Sequence, residues 1–133
     1  MAGSRAVYVD SSAIIKLVVQ EPESSALRAY LGRRKTLISN SIARTEVMRS
    51  VLAEGAASVA RAAQVLSRIE LLRMSDRVLA VAGGLLPLEL RTLDAIHLAS
   101  ALELGEELGR VVTYDVRMAV AARELGFRVE SPA

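Results

Sequence analysis

Short apolar segments of strand length alternate with longer helical segments along this chain, and that alternation constrains its fold more than any other feature. The strand candidates are apolar, β-prone runs bounded by cap or turn residues, at positions 6–9, 36–39, 70–74, 110–114 and 127–130. Strands that alternate with helices favour a parallel sheet with helices on both of its faces. We therefore predict an α/β fold, a three-layer α/β/α sandwich around a central parallel sheet of four to five strands.

The segments between the strand candidates have the periodicity, caps and breakers of helices. We predict helices at about 12–19, 23–33, 42–54, 56–68, 77–82, 93–104 and 116–125. The caps are Asn40 with Ser41, Ser75 with Asp76, and Thr92, and Gly55 interrupts the chain between two helices. The basic run at 33–35 is interpreted as a solvated helix end.

The composition is that of one folded domain and excludes several kinds of site. With 133 residues, 52% of them hydrophobic, the chain is long enough to bury a core, and we expect a single domain over 1–133. The absence of cysteine excludes disulfides, zinc knuckles and thiolate catalysis. A net charge of +2 supports a polyanionic partner only weakly. No apolar stretch has signal-peptide or membrane-spanning length, so we expect a soluble cytoplasmic protein with no membrane partner.

Acidic residues follow several of the predicted strands. In open parallel sheets, ligands bind beyond the carboxyl ends of the strands, so polar residues at those positions are site candidates. Asp10 follows the first strand, Asp115 follows the fourth, and Asp94 lies in the first turn of a helix. Each of the three also has an ordinary explanation as a residue that caps a helix or complements its dipole.

Asp94 makes the strongest independent case for a site. Its helix, from Leu93 to Leu102, is apolar nearly all round, which predicts a buried central helix. A carboxylate in such surroundings must be paired, hydrogen-bonded or bound to a metal, because burying it alone is very costly.

Glu46 and His97 are less clear candidates. Glu46 lies on its helix opposite an apolar stripe, where a cleft residue and a solvated one paired with Arg49 are equally compatible with the pattern. The stripe consists of Val47, Met48, Val51 and Leu52. His97, the only histidine, lies three residues after Asp94, and we interpret it as a packed residue of an apolar helix. A lone histidine also gives little support to Ser-His-Asp chemistry.

Several carboxylates that converge on one point need a counter-charge. At ~4 Å and an effective dielectric of ~20, each like-charged pair costs about 4 kcal/mol. A divalent cation reverses that repulsion, and an all-oxygen ligand set selects a hard ion such as Mg²⁺ or Mn²⁺. Such a site suits the hydrolysis of phosphodiesters.

Four segments together resemble the four acidic motifs of PIN-domain ribonucleases, and within that group the VapC-type toxins of toxin–antitoxin pairs. They are the residues 7–13 around Asp10, Thr45 with Glu46, the residues 93–99 around Asp94, and the residues 112–115 that end at Asp115. Each motif alone is short, but four in order at family spacing are specific. The resemblance covers the chain from Ala6 to about Val129.

The resemblance implies a PIN-like fold and a metal-dependent endoribonuclease. By motif, Asp10 and Asp94 are the principal metal ligands, Asp115 is a further ligand that often acts through water, and Glu46 is a ligand or a base. The supporting positions are two small hydroxyl residues, Ser12 and Thr113, and one arginine that could meet a phosphate, Arg117.

The resemblance also implies partners, and two other functions stay open at this point. The expected partners are an RNA substrate, a small antitoxin protein and a second copy of the chain in a homodimer. One alternative is a housekeeping RNA-processing nuclease of the same family. The other, of a different class, is a non-enzymatic receiver-like signalling module with Asp10 and Asp115 in an acidic pocket. It predicts a lysine near the last strand, whereas the only lysines, Lys16 and Lys35, both come early in the sequence.

Overall fold

The sheet has five strands, all parallel. The structure is a computed structural model that describes residues 6–32 and 36–133. Its strands are β1 (Ala6–Val9), β2 (Leu37–Asn40), β3 (Glu70–Leu72), β4 (Leu108–Val112) and β5 (Val129–Glu130). The predicted α/β fold with a parallel sheet of four to five strands is confirmed.

The described ranges contain seven α-helices, and these flank the sheet. They are α1 (Ser11–Val18), α2 (Ser24–Leu31), α3 (Ile42–Val51), α4 (Ala56–Leu66), α5 (Asp76–Gly83), α6 (Thr92–Leu104) and α7 (Val116–Glu124). None of the helices in these ranges combines the length and apolarity that crossing a bilayer requires.

The strand order, β3-β2-β1-β4-β5, puts β1 at the centre. Tyr8 lies opposite Ile38 of β2 on one side and opposite Val111 of β4 on the other. The chain builds outward from β1 to β3 and then crosses over to build β4 and β5 on the other side. The direction of winding therefore reverses between β1 and β4, which is where open parallel sheets form a ligand crevice.

β1 divides its side chains between two hydrophobic cores. Val7 and Val9 pack with α1, α2, α3 and α4 on one face of the sheet. Ala6 and Tyr8 pack with α6 and α7 on the other. All four residues are buried, which explains why the sequence of this strand is apolar at every position.

Most predicted elements agree with the structure to within three residues, and the ambiguous segment at 70–74 is a strand, β3. Thr92 was predicted as a cap but is the first residue of α6, with Arg91 in the cap position. The helix predicted to continue to 54 ends at Val51 and passes into a 3₁₀ turn at Leu52–Glu54. Leu52 is therefore 63% exposed and not part of the buried stripe. The basic run at 33–35 lies outside the described residues.

Candidate active site

A cleft of about 280 Å³ lies beyond the carboxyl ends of β1 and β4. Its lining contains all four acids predicted from the sequence. The residues that line it are Asp10, Ser11, Ser12, Ile15, Glu46, Ser50, Arg91, Leu93, Asp94, His97 and Asp115. A larger cavity of about 520 Å³, beside α2 and α4, is lined by apolar, arginine and glutamine residues and contains no carboxylate. Of these two cavities, the smaller cleft is therefore the one that brings the predicted acids together.

Asp10 is buried at the base of the cleft, where it also caps α1. Its Oδ1 accepts hydrogen bonds from the Ala13 backbone N–H at 3.0 Å and from the Ser12 hydroxyl at 2.7 Å. Its Oδ2 accepts one from the Thr113 hydroxyl. Burial raises the pKa of Asp10, and the nearby His97 and these hydrogen bonds offset that effect only in part. Ser12 and Thr113, predicted as supporting residues, thus both contact this carboxylate.

Asp94 projects from the first turn of α6, whose residues 95–101 are all buried as predicted. The Asp94 Oδ2 atom is buried and accepts no hydrogen bond from the described residues. Its ion-pair contact is with Arg91 Nε, at 3.5 Å. Burial raises the pKa of Asp94, and the negative charges of Asp115 and Asp10 raise it further. The three aspartates therefore lie within electrostatic reach of one another.

Asp115 combines a capping role with a place in the cleft. Its Oδ1 accepts a hydrogen bond from the Met118 backbone N–H at 3.1 Å, which caps α7. Its Oδ2 accepts one from the Arg91 guanidinium at 2.8 Å. Asp115 therefore caps α7 and lines the cleft at the same time.

Glu46 faces the cleft and not bulk solvent. Its side chain is only 20% exposed, and its Oε1 lies 2.8 Å from His97 Nε2 and accepts a hydrogen bond from the Ser11 hydroxyl. Burial alone would raise the pKa of Glu46, but the hydrogen bonds from His97 and Ser11 outweigh it and the pKa is lowered. The alternative of a solvated Glu46 paired with Arg49 is therefore wrong.

His97 links Glu46 to the centre of the sheet. Its ring is 2% exposed, and its Nδ1 lies 2.7 Å from the Tyr8 hydroxyl. Burial raises the pKa of Tyr8, so the phenol stays protonated. Nε2 donates a hydrogen bond to Glu46 Oε1, because an ionised carboxylate can only accept. The packed interpretation of His97 was right about its burial and missed its contact with the acid.

Sequence reasoning also missed Arg91 and gave more weight to Arg117. Arg91 contacts both Asp94 and Asp115 at the mouth of the cleft. Its position three residues before Asp94, one helical turn, is the signal that could have identified it. Arg117, predicted as a possible phosphate contact, is exposed on α7 and does not line the cleft.

The donor chemistry of the cleft fits a hard divalent cation. Carboxylate oxygens are the ligands that Mg²⁺ and Mn²⁺ prefer, and Asp94 Oδ2 is an acceptor with no hydrogen bond of its own. Within residues 6–32 and 36–133, no three Asp, Glu or His side chains are already grouped closely enough to hold one ion together. The carboxylates of the cleft are of the right chemical type for a divalent cation, and their side chains would have to move closer together to bind one.

Comparisons with known proteins identify relatives over nearly the whole chain. The sequence pattern of the PIN domain matches residues 7–124. The chain is 55% identical to Ribonuclease VapC46 of Mycobacterium tuberculosis over 128 residues, which is 96% of this chain and 98% of that protein. It is 37% identical to Ribonuclease VapC47 of the same species over 131 residues, 95% of this chain and 96% of that one.

Two solved structures have a similar fold. A crystal structure of VapC20 from Mycobacterium tuberculosis, a toxin that cleaves the sarcin–ricin loop, superposes with a TM-score of 0.74 at 16% identity, covering 96% of this chain and 99% of that one. A toxin–antitoxin complex from Klebsiella pneumoniae gives a TM-score of 0.68 at 20% identity, with 96% and 98% covered. At these identities the similarity concerns the fold alone.

Proposed function

Since the chain belongs to the PIN-domain family, we propose that it is a metal-dependent endoribonuclease that acts as the toxin of a toxin–antitoxin pair. The observation that carries the proposal is the convergence of Asp10, Glu46, Asp94 and Asp115 on one cleft at the carboxyl edge of the sheet. Close relatives named as ribonucleases, matched along almost their full length, support the RNA substrate.

In this proposal the acids hold a divalent ion, Mg²⁺ or Mn²⁺. Asp10 and Asp94 are its principal ligands, Asp115 is a further ligand that acts through water, and Glu46 is a ligand or the base. When bound, the ion lowers the pKa of a water molecule and stabilises charge on the phosphodiester oxygens. Asp94 Oδ2, buried and without a hydrogen bond, is the oxygen best prepared for such an ion.

The remaining polar residues of the cleft orient the acids. Hydrogen bonds from Ser12 and Thr113 fix both oxygens of Asp10 and favour its ionised form. His97 and Ser11 both hydrogen-bond to Oε1 of Glu46 and likewise favour its ionised form. A lowered pKa keeps Glu46 ionised at neutral pH, and so ready to accept a hydrogen bond or a proton from a water molecule in the cleft.

An antitoxin and a second copy of the chain are the protein partners of the proposal. The similar fold in the Klebsiella pneumoniae toxin–antitoxin complex and the VapC names of the relatives support an antitoxin partner. A small open reading frame directly upstream, encoding a protein that copurifies with this chain, would favour the toxin over a housekeeping nuclease. Nothing among the described residues supports the receiver-like hypothesis, because Lys16 forms ion pairs with Glu21 and Glu23 and does not line the acidic cleft.

Inducing the chain in a bacterial host tests the toxin function. We expect growth arrest, new RNA ends at defined positions when cellular RNA is sequenced, and relief of both by the upstream partner. The variant Asp10→Asn, expressed to the same level, should leave growth and RNA intact. Unaffected growth together with RNA cleavage by the purified protein would favour the housekeeping function. Growth arrest by the variant equal to that of the wild type would contradict the proposed site.

A further inference from the structure

Arg91 is the one arginine or lysine among the described residues that line the cleft. Its guanidinium lies between two of the acids, 2.8 Å from Asp115 Oδ2 and 3.5 Å from Asp94 Oδ2. It therefore lies against two of the carboxylates that the proposed function assigns to a divalent ion, hydrogen-bonded to Asp115 and ion-paired with Asp94. The Arg91 side chain is 62% exposed, so it can leave this place without disturbing the core.

The position of Arg91 in α6 does not help the helix. It occupies the N-terminal cap position but makes no side-chain cap hydrogen bond. The N-terminal end of a helix carries partial positive charge and disfavours a cation, while serine, threonine, aspartate or asparagine would cap it. The next residue, Thr92, is a better cap by type and is not used as one. The favourable contacts of Arg91 are those with the acids of the cleft.

We infer that Arg91 exchanges partners during the reaction. It neutralises Asp94 and Asp115 until a divalent ion binds them, and then turns to an RNA phosphate at the mouth of the cleft. A guanidinium and a divalent cation repel each other and are both attracted to the same carboxylates, so the two compete. Guanidinium also matches the geometry of a phosphate, which it can bind through two parallel hydrogen bonds. This inference rests on the proposed metal-dependent ribonuclease.

The exchange predicts effects of opposite sign for Arg91→Gln. Removing the competitor should tighten the binding of Mn²⁺ by about threefold to fivefold, the upper part of the range that a partly exposed ion pair supports. Removing the phosphate contact should raise the KM for RNA at saturating Mn²⁺ by a similar factor, with a smaller change in kcat. Replacing a residue that only stabilised the fold would not tighten the binding of Mn²⁺ while weakening the binding of RNA.

Mn²⁺ binding to purified protein, followed by calorimetry and by the electron paramagnetic resonance signal of the free ion, measures the first effect. Arg49→Gln is the matched control, because Arg49 is an exposed arginine on α3, three residues after Glu46, and does not line the cleft. We expect its Mn²⁺ affinity and its KM to stay within about twofold of wild type, as for a screened surface charge. In an Asp115→Asn background, the effect of Arg91→Gln on Mn²⁺ binding should shrink.

Each part of the exchange can fail separately. If Arg91→Gln binds Mn²⁺ no more tightly than Arg49→Gln, the competition is wrong while the ribonuclease proposal stands. Tighter Mn²⁺ binding with an unchanged KM would overturn the phosphate contact. A wild-type protein that binds no Mn²⁺ at millimolar concentration would contradict both the exchange and the proposed metal dependence.

Discussion

His97 Nε2 lies 2.8 Å from Glu46 Oε1, so a histidine buried in α6 is hydrogen-bonded to an acid that α3 presents to the cleft. The other ring nitrogen contacts the Tyr8 hydroxyl of the central strand. These contacts connect β1, α3 and α6 behind the carboxylates. The orientation of Glu46 therefore depends on the hydrophobic core and not only on its own helix.

Tyr8→Phe tests how strongly this connection stabilises the fold. The change keeps the buried ring and removes the hydroxyl, which leaves His97 Nδ1 without its partner. We expect the free energy of unfolding, measured by urea denaturation, to fall by about 1–2 kcal/mol, the cost of leaving a buried polar atom without its partner. Tyr114→Phe is the control, since that partly exposed hydroxyl donates to the Pro132 carbonyl, which can turn to water. Equal losses in the two variants would contradict the special role of the Tyr8 contact.

Glu46→Gln should lower RNA cleavage while leaving the fold intact. Glutamine preserves the size of the side chain but removes the charge that binds an ion or accepts a proton. A lost base or ligand costs at least about a hundredfold in kcat, which a cleavage assay with labelled RNA detects. Glu54→Gln, an exposed change in the 3₁₀ turn that follows α3, should cleave at the wild-type rate. Cleavage by the Glu46 variant at that same rate would remove Glu46 from the site.

Asp94→Asn should raise the thermal stability of the protein in EDTA at neutral pH. The pKa of Asp94 is raised, so the folded protein binds this proton more tightly than the unfolded chain does. The stability that comes with the proton is present below the ordinary carboxyl pKa of about 4 and is lost as the pH rises through the raised value. Asparagine does not ionise, so the variant does not lose this stability as the pH rises.

Melting curves across a pH series measure the effect. The advantage of Asp94→Asn over wild type should be largest at neutral pH and vanish as the pH falls to about 4. Asp76→Asn, an exposed change in the first turn of α5, should not show this pattern. A variant that is less stable than wild type at neutral pH would show that the Asp94 carboxylate stabilises the fold even without a metal ion.

Mg²⁺ or Mn²⁺ should stabilise the folded wild-type protein by linkage. An ion present at about a hundred times its dissociation constant adds about 2.7 kcal/mol to the free energy of unfolding, which corresponds to about ten degrees in Tm. The shift should be reversed by EDTA and absent in Asp10→Asn. An unchanged Tm at millimolar metal would count against the carboxylate site.

Local patterns predicted the parts of the site that one element determines alone. Asp10 follows directly from a strand that ends where a helix begins, and it caps α1 as that position requires. The apolar character of α6 correctly predicted that Asp94 stands on a buried helix. Both inferences use only the hydrophobic pattern of neighbouring residues.

The contacts that the sequence did not reveal join distant segments. Whether Glu46 faces a cleft or solvent depends on how α3 packs beside α1 and α6, which the helical pattern of α3 does not contain. The Tyr8–His97 pair is separated by 89 residues and the Arg91–Asp115 pair by 24. The strand order brings these residues together, and it follows from the packing of the whole chain.

Cleavage of cellular RNA by the purified protein tests the central claim most directly. Wild type and Asp94→Asn are compared with Mg²⁺, with Mn²⁺ and with EDTA, after circular dichroism has shown that both are folded. We predict cleavage at defined positions by the wild type with metal, none in EDTA, and a loss of at least about a hundredfold in the variant, because a lost ligand removes several kcal/mol of transition-state stabilisation. Undiminished cleavage by Asp94→Asn, or by the wild type in EDTA, would contradict a metal-dependent site at these carboxylates.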